Sequence, residues 1–442
     1  MSSLLAMHAT DGLFSMPVNV LFAVIVASVV GAALLSLARR GDHRLAPVMG
    51  VMAAFVFAAQ MVNFPIAAGT TGHLLGGTLA AILLGPWAGT VVMAVVIIFQ
   101  AVLGDGGLTV LGPNIFNMGI VGTCLAYYVY RAIVGRDNSQ PGRVVAGGFF
   151  AAWLSVVLAS VFVSLELAIS GRGSLDRVLP AMVLVHMAIG IGEALITAGV
   201  LAFILKTRPA LLYDRSSPAP QAAGRAVIVL GLAASLVVGV FLSLLPALWE
   251  SPDGLEYVGI QKGILFEDCQ RADNGALKTL PAYPLGVKLE MAPTGLTAVH
   301  QYANQAGKIE VGDVLQSVNG VPTPDLAAAA VALKFNAEAK TFGVKPGDVI
   351  DVVLDRAGRR QALSVTAAGA PQAGTKPPLI ALLPDYTVPG IDGMLSTSLA
   401  GGIGTIVVFL LSFVVGRAFT RPGRLEAAFS RTAAAGNEDR SG

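Results

Sequence analysis

Apolar residues in this chain run in long unbroken blocks, neither alternating nor recurring once per helical turn. That pattern predicts helices with no polar face. Blocks suited to crossing the hydrocarbon core of a bilayer, which takes about 17 to 25 residues, fall near 17–38, 46–62, 73–84, 88–103, 115–134, 145–169, 178–205, 226–248 and 395–416. Two are short. Residues 73–84 and 88–103 flank Gly85-Pro86-Trp87, which makes them either a tight helical hairpin or a partly re-entrant pair. Between 250 and 390 polar residues, Gly and Pro accumulate and no stretch is long enough to span. The expected fold is therefore mainly α: a polytopic transmembrane helix bundle of about nine spans, with a soluble domain inserted before the last.

Composition sharpens this picture. With 442 residues, 55% hydrophobic, 13% charged and a mean hydropathy of +0.72, the chain is too apolar for a water-soluble globule, which argues against a soluble enzyme. A net charge of +2 leaves no large basic surface for nucleic acid. Cys124 lies in an apolar run and Cys269 in a polar one, so neither a disulfide framework nor a cysteine metal site is expected. Charge is segregated. Between Leu45 and Tyr130 there is no Lys or Arg and the only acid is Asp105, whereas eight of the nine lysines lie between 250 and 390.

Basic residues cluster after alternate blocks: Arg39, Arg40 and Arg44; Arg131, Arg136 and Arg143; Lys206, Arg208, Arg215 and Arg225; then Arg417, Arg421, Arg424, Arg431 and Arg440. Cytoplasmic loops are enriched in such residues, so the N-terminus, the loops at His73 and Asp105, and the 250–390 domain are expected outside, and the C-terminus inside. The first dozen residues lack a signal-peptide pattern.

Candidate chemistry is sparse. Met7-His8-Ala9-Thr10-Asp11-Gly12 precedes the first block, and Asn63-Phe64-Pro65 leads into Gly69-Thr70-Thr71-Gly72-His73. His43 and His300 read as solvated surface residues. His186, seven residues before Glu193 inside the seventh block, is either functional or a helix-packing hydrogen bond.

Several blocks in order resemble the CbiM/NikM family, the membrane substrate-capture component of cobalt and nickel energy-coupling-factor transporters. They are Met-His-x-x-Asp-Gly at 7–12, Gln60-Met61-Val62-Asn63-Phe64-Pro65 leading to Thr71-Gly72-His73-Leu74, Gly104-Asp105-Gly106-Gly107 with Gly112-Pro113-Asn114, and the run from His186 to Thr197. Two departures stand out: Ala9-Thr10 replaces the family's usual Ile-Pro, and six residues precede the Met-His pair. The resemblance implies a metal site made of the Met7 amine, the His8 amide nitrogen and ring, and the His73 ring, with the functional chain beginning at Met7. Amine, amide and imidazole nitrogens from adjacent residues form fused chelate rings in one plane, and a planar nitrogen set suits Ni2+ or Cu2+, whereas Zn2+ prefers a tetrahedron and Ca2+ or Mg2+ prefer oxygens. Gln60, Asn63, Thr70, Asp105 and Asn114 are candidate orienting residues around these ligands. The metal-capture domain would occupy 7–205, followed by a cytoplasmic linker at 206–225.

The C-terminal third carries two further resemblances. Ser251-Pro252-Asp253-Gly254-Leu255-Glu256 and Leu383-Pro384-Asp385-Tyr386 to Gly390 are similar to a PDGLE (NikN-like) module, here 226–416 with a basic tail at 417–442. Within its outer loop, 283–369 resembles a PDZ domain of α+β type: Leu285-Gly286-Val287 matches a carboxylate-binding loop, and alternation from Val352 to Val365 around a turn at Arg356 to Arg360 reads as closing strands. Its implied partner is an extracytoplasmic C-terminal peptide; a ligand-free spacer is the alternative.

The expected function is nickel import, with no prosthetic group and with Ni2+, or Co2+, bound as substrate. No P-loop is present, so energy must come from separate ATPase and transmembrane coupling subunits. The Ala23, Ala27 and Gly31 ridge in the first block allows close packing, either on such a partner or internally. An intramembrane metalloprotease would need His-Glu-x-x-His, which is absent. A metal sensor or PDZ-bearing intramembrane regulator is the reading from another class.

Overall fold

The structure, a computed structural model, describes residues 8–42, 45–61, 63–65, 71–135, 140–213, 225–241, 279–280, 284–301, 308–336, 341–345, 347–367, 382, 388, 391 and 394–420. Two compact units are present, one mostly helical and one built on a sheet formed between residues 255 and 377.

In the helical unit each apolar block becomes a helix, because a backbone in lipid must satisfy its own hydrogen bonds. α1 (Met16–Arg40) and α2 (Leu45–Gln60) lead to a short antiparallel pair, β1 (Asn63–Pro65) and β2 (Thr71–His73), in which Asn63 stands opposite His73. α3 (Gly77–Leu84) and α4 (Pro86–Leu103) follow. Next, α5 (Leu111–Asn114) runs into a π-helix (Ile115–Leu125) and α6 (Ala126–Val134). α7 (Pro141–Ile169), α8 (Leu175–Thr207) and α9 (Arg225–Phe241) complete the series before the sheet.

Five helices among the described residues are long and apolar enough to cross a membrane: Met16–Arg40, Pro86–Leu103, Pro141–Ile169, Val178–Thr207 and Ser398–Phe419. The expected count of nine meets a clear limit at α3. Eight residues rise only about 12 Å against a core of about 30 Å. Gly85, with φ of 85°, breaks the chain, and Pro86 starts α4 as its first residue. The absence of a side chain at Gly89 then lets α4 fold back onto Ala81 of α3, 3.1 Å from where a Cβ would sit. The pair is a tight helical hairpin.

α4 lies at the centre, with 72% of its most apolar stretch buried, against 22% for the peripheral α1. The last helix, α11 (Met394–Phe419), packs with α9 against α2. Small residues make this seam close. Gly404 faces the Phe57 ring, Gly50 faces Phe409, and Ser412 Oγ donates to the Met49 carbonyl at 3.2 Å.

The other unit orders its strands β11-β10-β6-β5-β4-β3, with β7 (Val321–Pro322) also paired to β6 and a small β8–β9 pair (Phe335–Asn336, Thr341–Phe342) beside the sheet. β3 is Thr279–Leu280, β4 Val287–Ala292, β5 Gly295–Gln301 and β6 Val314–Val318. β10 (Val349–Arg356) and β11 (Arg359–Thr366) form a hairpin around Ala357-Gly358, both at positive φ as a two-residue turn of right-handed twist requires. On β10 the residues Ile350, Val352 and Leu354 are buried, the period-two pattern of a half-covered strand. α10 (Leu326–Ala332), capped by Asp325 accepting from the Ala328 N–H at 2.8 Å, adds Leu326, Ala329 and Ala330 to the same core.

Candidate metal site

The segment before α1 is held on the loop between α4 and α5 by polar contacts around His8. Asn114, at the end of α5, accepts from the Ala9 N–H at 3.1 Å and donates to the Ala9 carbonyl at 3.0 Å. The Gly107 N–H also donates to that carbonyl, at 3.0 Å. Asp11 Oδ1 accepts from both the main-chain N–H and the hydroxyl of Thr109. Two glycines make the approach feasible. A Cβ on Gly106, itself at φ of +94°, would stand 2.9 Å from His8 Cβ, and one on Gly107 would collide with Asp11.

His8 is buried, with Nδ1 3.0 Å from Asp105 Oδ1. This is ion-pair distance without hydrogen-bond geometry, and neither ring nitrogen of His8 has a hydrogen-bond partner among the described residues. His73 ends β2, its ring centroid 5.7 Å from that of His8 and its plane tilted by 53°. Its Nδ1 lies 3.1 Å from the Leu74 carbonyl, which as the proton-bearing nitrogen leaves Nε2 as acceptor. Metal–nitrogen bonds of about 2 Å let two rings at this spacing share one ion. Among the described residues no three His, Cys, Asp or Glu side chains form a metal-binding group, so two imidazoles would need main-chain or terminal nitrogens to complete a set of four.

Of the other candidate residues, Gln60 is fully buried and donates through Nε2 to the Leu75 carbonyl at 2.8 Å, holding the turn after His73. Asp105 and Asn114 touch His8 and Ala9 as above. Asn63 pairs with His73 through the strand backbone. Met7 and Thr70 lie outside the described residues, as do His43, Ser251 to Glu256 and Cys269. Cys124 is a free thiol. His186 bonds within its own helix, Nδ1 lying 2.8 Å from the Met182 carbonyl. Ala23 and Ala27 are exposed on α1, and nothing lies within 4 Å of a Cβ placed on Gly31.

Sequence reasoning missed two holding groups: the Asp11–Thr109 contact and the Glu193 carboxylate, which accepts from the N–H groups of Leu75 and Gly76 at 2.6 and 2.9 Å. The Asp-Gly at 11–12 was a visible signal for the first. A carboxyl inside an apolar block marks Glu193 itself, but nothing local marks its partners, 118 and 117 residues away.

In the sheet unit, Leu285 and Val287 are buried core residues and Gly286 turns the chain at φ of 79°. The free edge of β4 that an added peptide strand would need is already paired with β3, Thr279 opposite Glu290 and Leu280 opposite Leu289.

Residues 8–211 match the family described as cobalt uptake substrate-specific transmembrane region, and 328–421 match the PDGLE domain. The second match takes in the Pro384 to Gly390 motif and α11 but not Ser251 to Glu256. A putative fused nickel transport protein NikMN of Archaeoglobus fulgidus is 41% identical over 216 residues, 48% of this chain and 70% of that one. The fused nickel transport protein NikMN of Rhodobacter capsulatus is 35% identical over 197 residues, 40% of this chain and 55% of that one. A crystal structure of a truncated transition metal transporter shares 29% identity, covering 45% of this chain and 98% of that chain with a TM-score of 0.40.

Apolar spans and these relatives define a multi-pass membrane transport protein, not an enzyme. The chain belongs to the CbiM/NikM family of nickel and cobalt transport proteins, with a PDGLE domain fused behind the capture region.

Proposed function

We propose that this protein captures Ni2+ on the extracytoplasmic side and serves as the substrate-specific component of an energy-coupling-factor transporter driven by separate ATPase and coupling subunits. The observation that carries the reading is the convergence of His8 and His73, 65 positions apart in sequence, to a ring spacing of 5.7 Å, with the His8 nitrogens unused by hydrogen bonds among the described residues. The fused nickel transport proteins among the relatives favour nickel over cobalt.

The ion is substrate here, and its binding follows from the donors. The His8 amide nitrogen and its own ring close a six-membered chelate only through Nδ1, the nitrogen facing Asp105. The Asp105 carboxylate therefore stands beside the ion, where its charge offsets that of the dication. His73 offers Nε2 as a second imidazole, and Met7 adds an amine where it is the first residue of the mature chain. Ala23 and Ala27, exposed on α1, and the half-buried Gly31 form a small-residue face that suits close packing by a coupling subunit.

His73→Ala is expected to abolish stoichiometric Ni2+ binding by the purified chain, measured calorimetrically, while His43→Ala and His300→Ala leave it unchanged. Undiminished affinity in His73→Ala would refute the site. Competitive uptake of Ni2+ and Co2+ by cells making the whole transporter tests the ion, and preferential cobalt entry would overturn nickel. Mass spectrometry of the N-terminal peptide tests the amine: tight binding by a chain retaining Met1 excludes it.

A further inference from the structure

Glu193 stands on α8, seven residues after His186, yet it has no part in the ligand set above. It is fully buried, and both carboxylate oxygens are occupied by consecutive main-chain donors, Leu75 N–H at 2.6 Å and Gly76 N–H at 2.9 Å. The carbonyl of the same Leu75 accepts from Gln60 Nε2 on α2 at 2.8 Å. Residues 74–76 form the corner between β2, which ends at His73, and α3, which starts at Gly77. Gly76 is at φ of 76°, a conformation that an L side chain resists, and a Cβ there would also press on Val56 at 3.0 Å. The corner is thus gripped from two helices at once.

We propose that Glu193 is the positioning residue that sets where His73 places its imidazole. The inference rests on the reading of His8 and His73 as the nickel site. Two hydrogen bonds accepted from the N–H groups of successive peptide planes fix the path of the chain there more tightly than one bond can. His73 is two residues from the grip, and its ring is tied to Leu74 between them. A carboxylate suits this place better than an amide, because it has only acceptors to offer two donors. In Glu193→Gln the NH2 group must confront one of the two N–H groups. Glu193→Asp keeps the carboxyl group but draws it back by one methylene.

The test uses the full chain in detergent, titrated with Ni2+ and followed by calorimetry and by the visible absorption of the bound ion. Glu193→Gln is expected to weaken binding about 10- to 100-fold, as losses of groups that orient metal ligands do, and to change the absorption band. Glu193→Asp is expected to fall between it and the parent. In the background of a His73 variant that still binds weakly, Glu193→Gln should add little, since its effect passes through that ring. Parent-like affinity and spectrum in Glu193→Gln, or an effect that adds in full to that of the His73 change, would overturn the positioning role. If instead His73→Ala binds Ni2+ like the parent, the nickel site itself fails, a result distinct from either.

Discussion

A Cβ on Gly107 would lie 2.4 Å from both the main-chain nitrogen and Oδ1 of Asp11, so the loop approaches the N-terminal segment only because this residue has no side chain. Gly107→Ala is expected to push the segment away, detach Asp11 from Thr109, and lower Ni2+ affinity by at least about tenfold, measurable by calorimetry. Asp105→Asn removes the charge that would stand beside the ion and is expected to cost about 10- to 100-fold in affinity by the same measurement. Both residues were visible in the Gly104 to Gly107 motif. Their partners were not, because His8 and Asp11 reach that loop across about 100 positions of chain.

At the scale of elements, one charged cluster ties β10 to the loop before β6. Arg356 donates through Nε to Asp313 Oδ1 at 2.8 Å and through a terminal nitrogen to Oδ2 at 2.7 Å, and reaches Glu310 Oε1 at 2.7 Å. Burial alone would raise the Asp313 carboxyl, but hydrogen bonds from Arg356 and the Glu310 N–H, with the guanidinium charge, hold it below its usual range. A carboxyl with a depressed folded value contributes stability that is present above its unfolded value, about 4, and is lost as pH falls through the folded value. The protection of the β10–β11 amides against hydrogen exchange in the full chain, taken relative to intrinsic rates at each pH, is expected to fall on acidification below about pH 4, and Asp313→Ala to remove that pH dependence. Ile350→Ala, which empties a fully buried position on β10, is expected to cost about 2–5 kcal/mol in this unit, read by the same exchange. The β3–β4 pairing has its own consequence. A hydrophobic C-terminal peptide is expected not to bind the intact chain, and to bind when Thr279 and Leu280 are both replaced by Pro, measured by fluorescence anisotropy.

For the whole molecule, the helices that precede and follow the sheet unit in sequence, α9 and α11, meet on α2 within the bundle. No metal ligand is assigned between 283 and 369. A chain lacking those residues but keeping Pro252 to Glu256 and Pro384 to Gly390 is therefore expected to insert and bind Ni2+ with unchanged stoichiometry. Loss of binding in a well-folded deletion would show that the sheet unit shapes the site.

The apolar blocks, the polar stretch between 250 and 390 and the alternation along β10 were all legible in the chain, because each depends on composition or period over a short window, and the two candidate histidines stood out in short motifs. Burial of a helix in lipid and the period of a strand are local requirements, and local sequence states them. Tertiary structure decided the rest. The folding back of α3 on α4, the close seam of α2 with α11, the capture of β4's edge by β3 and the grip of Glu193 on the turn after His73 are pairings between distant segments. Each joins two surfaces whose complementarity exists only once both are folded, so neither segment alone carries its signature.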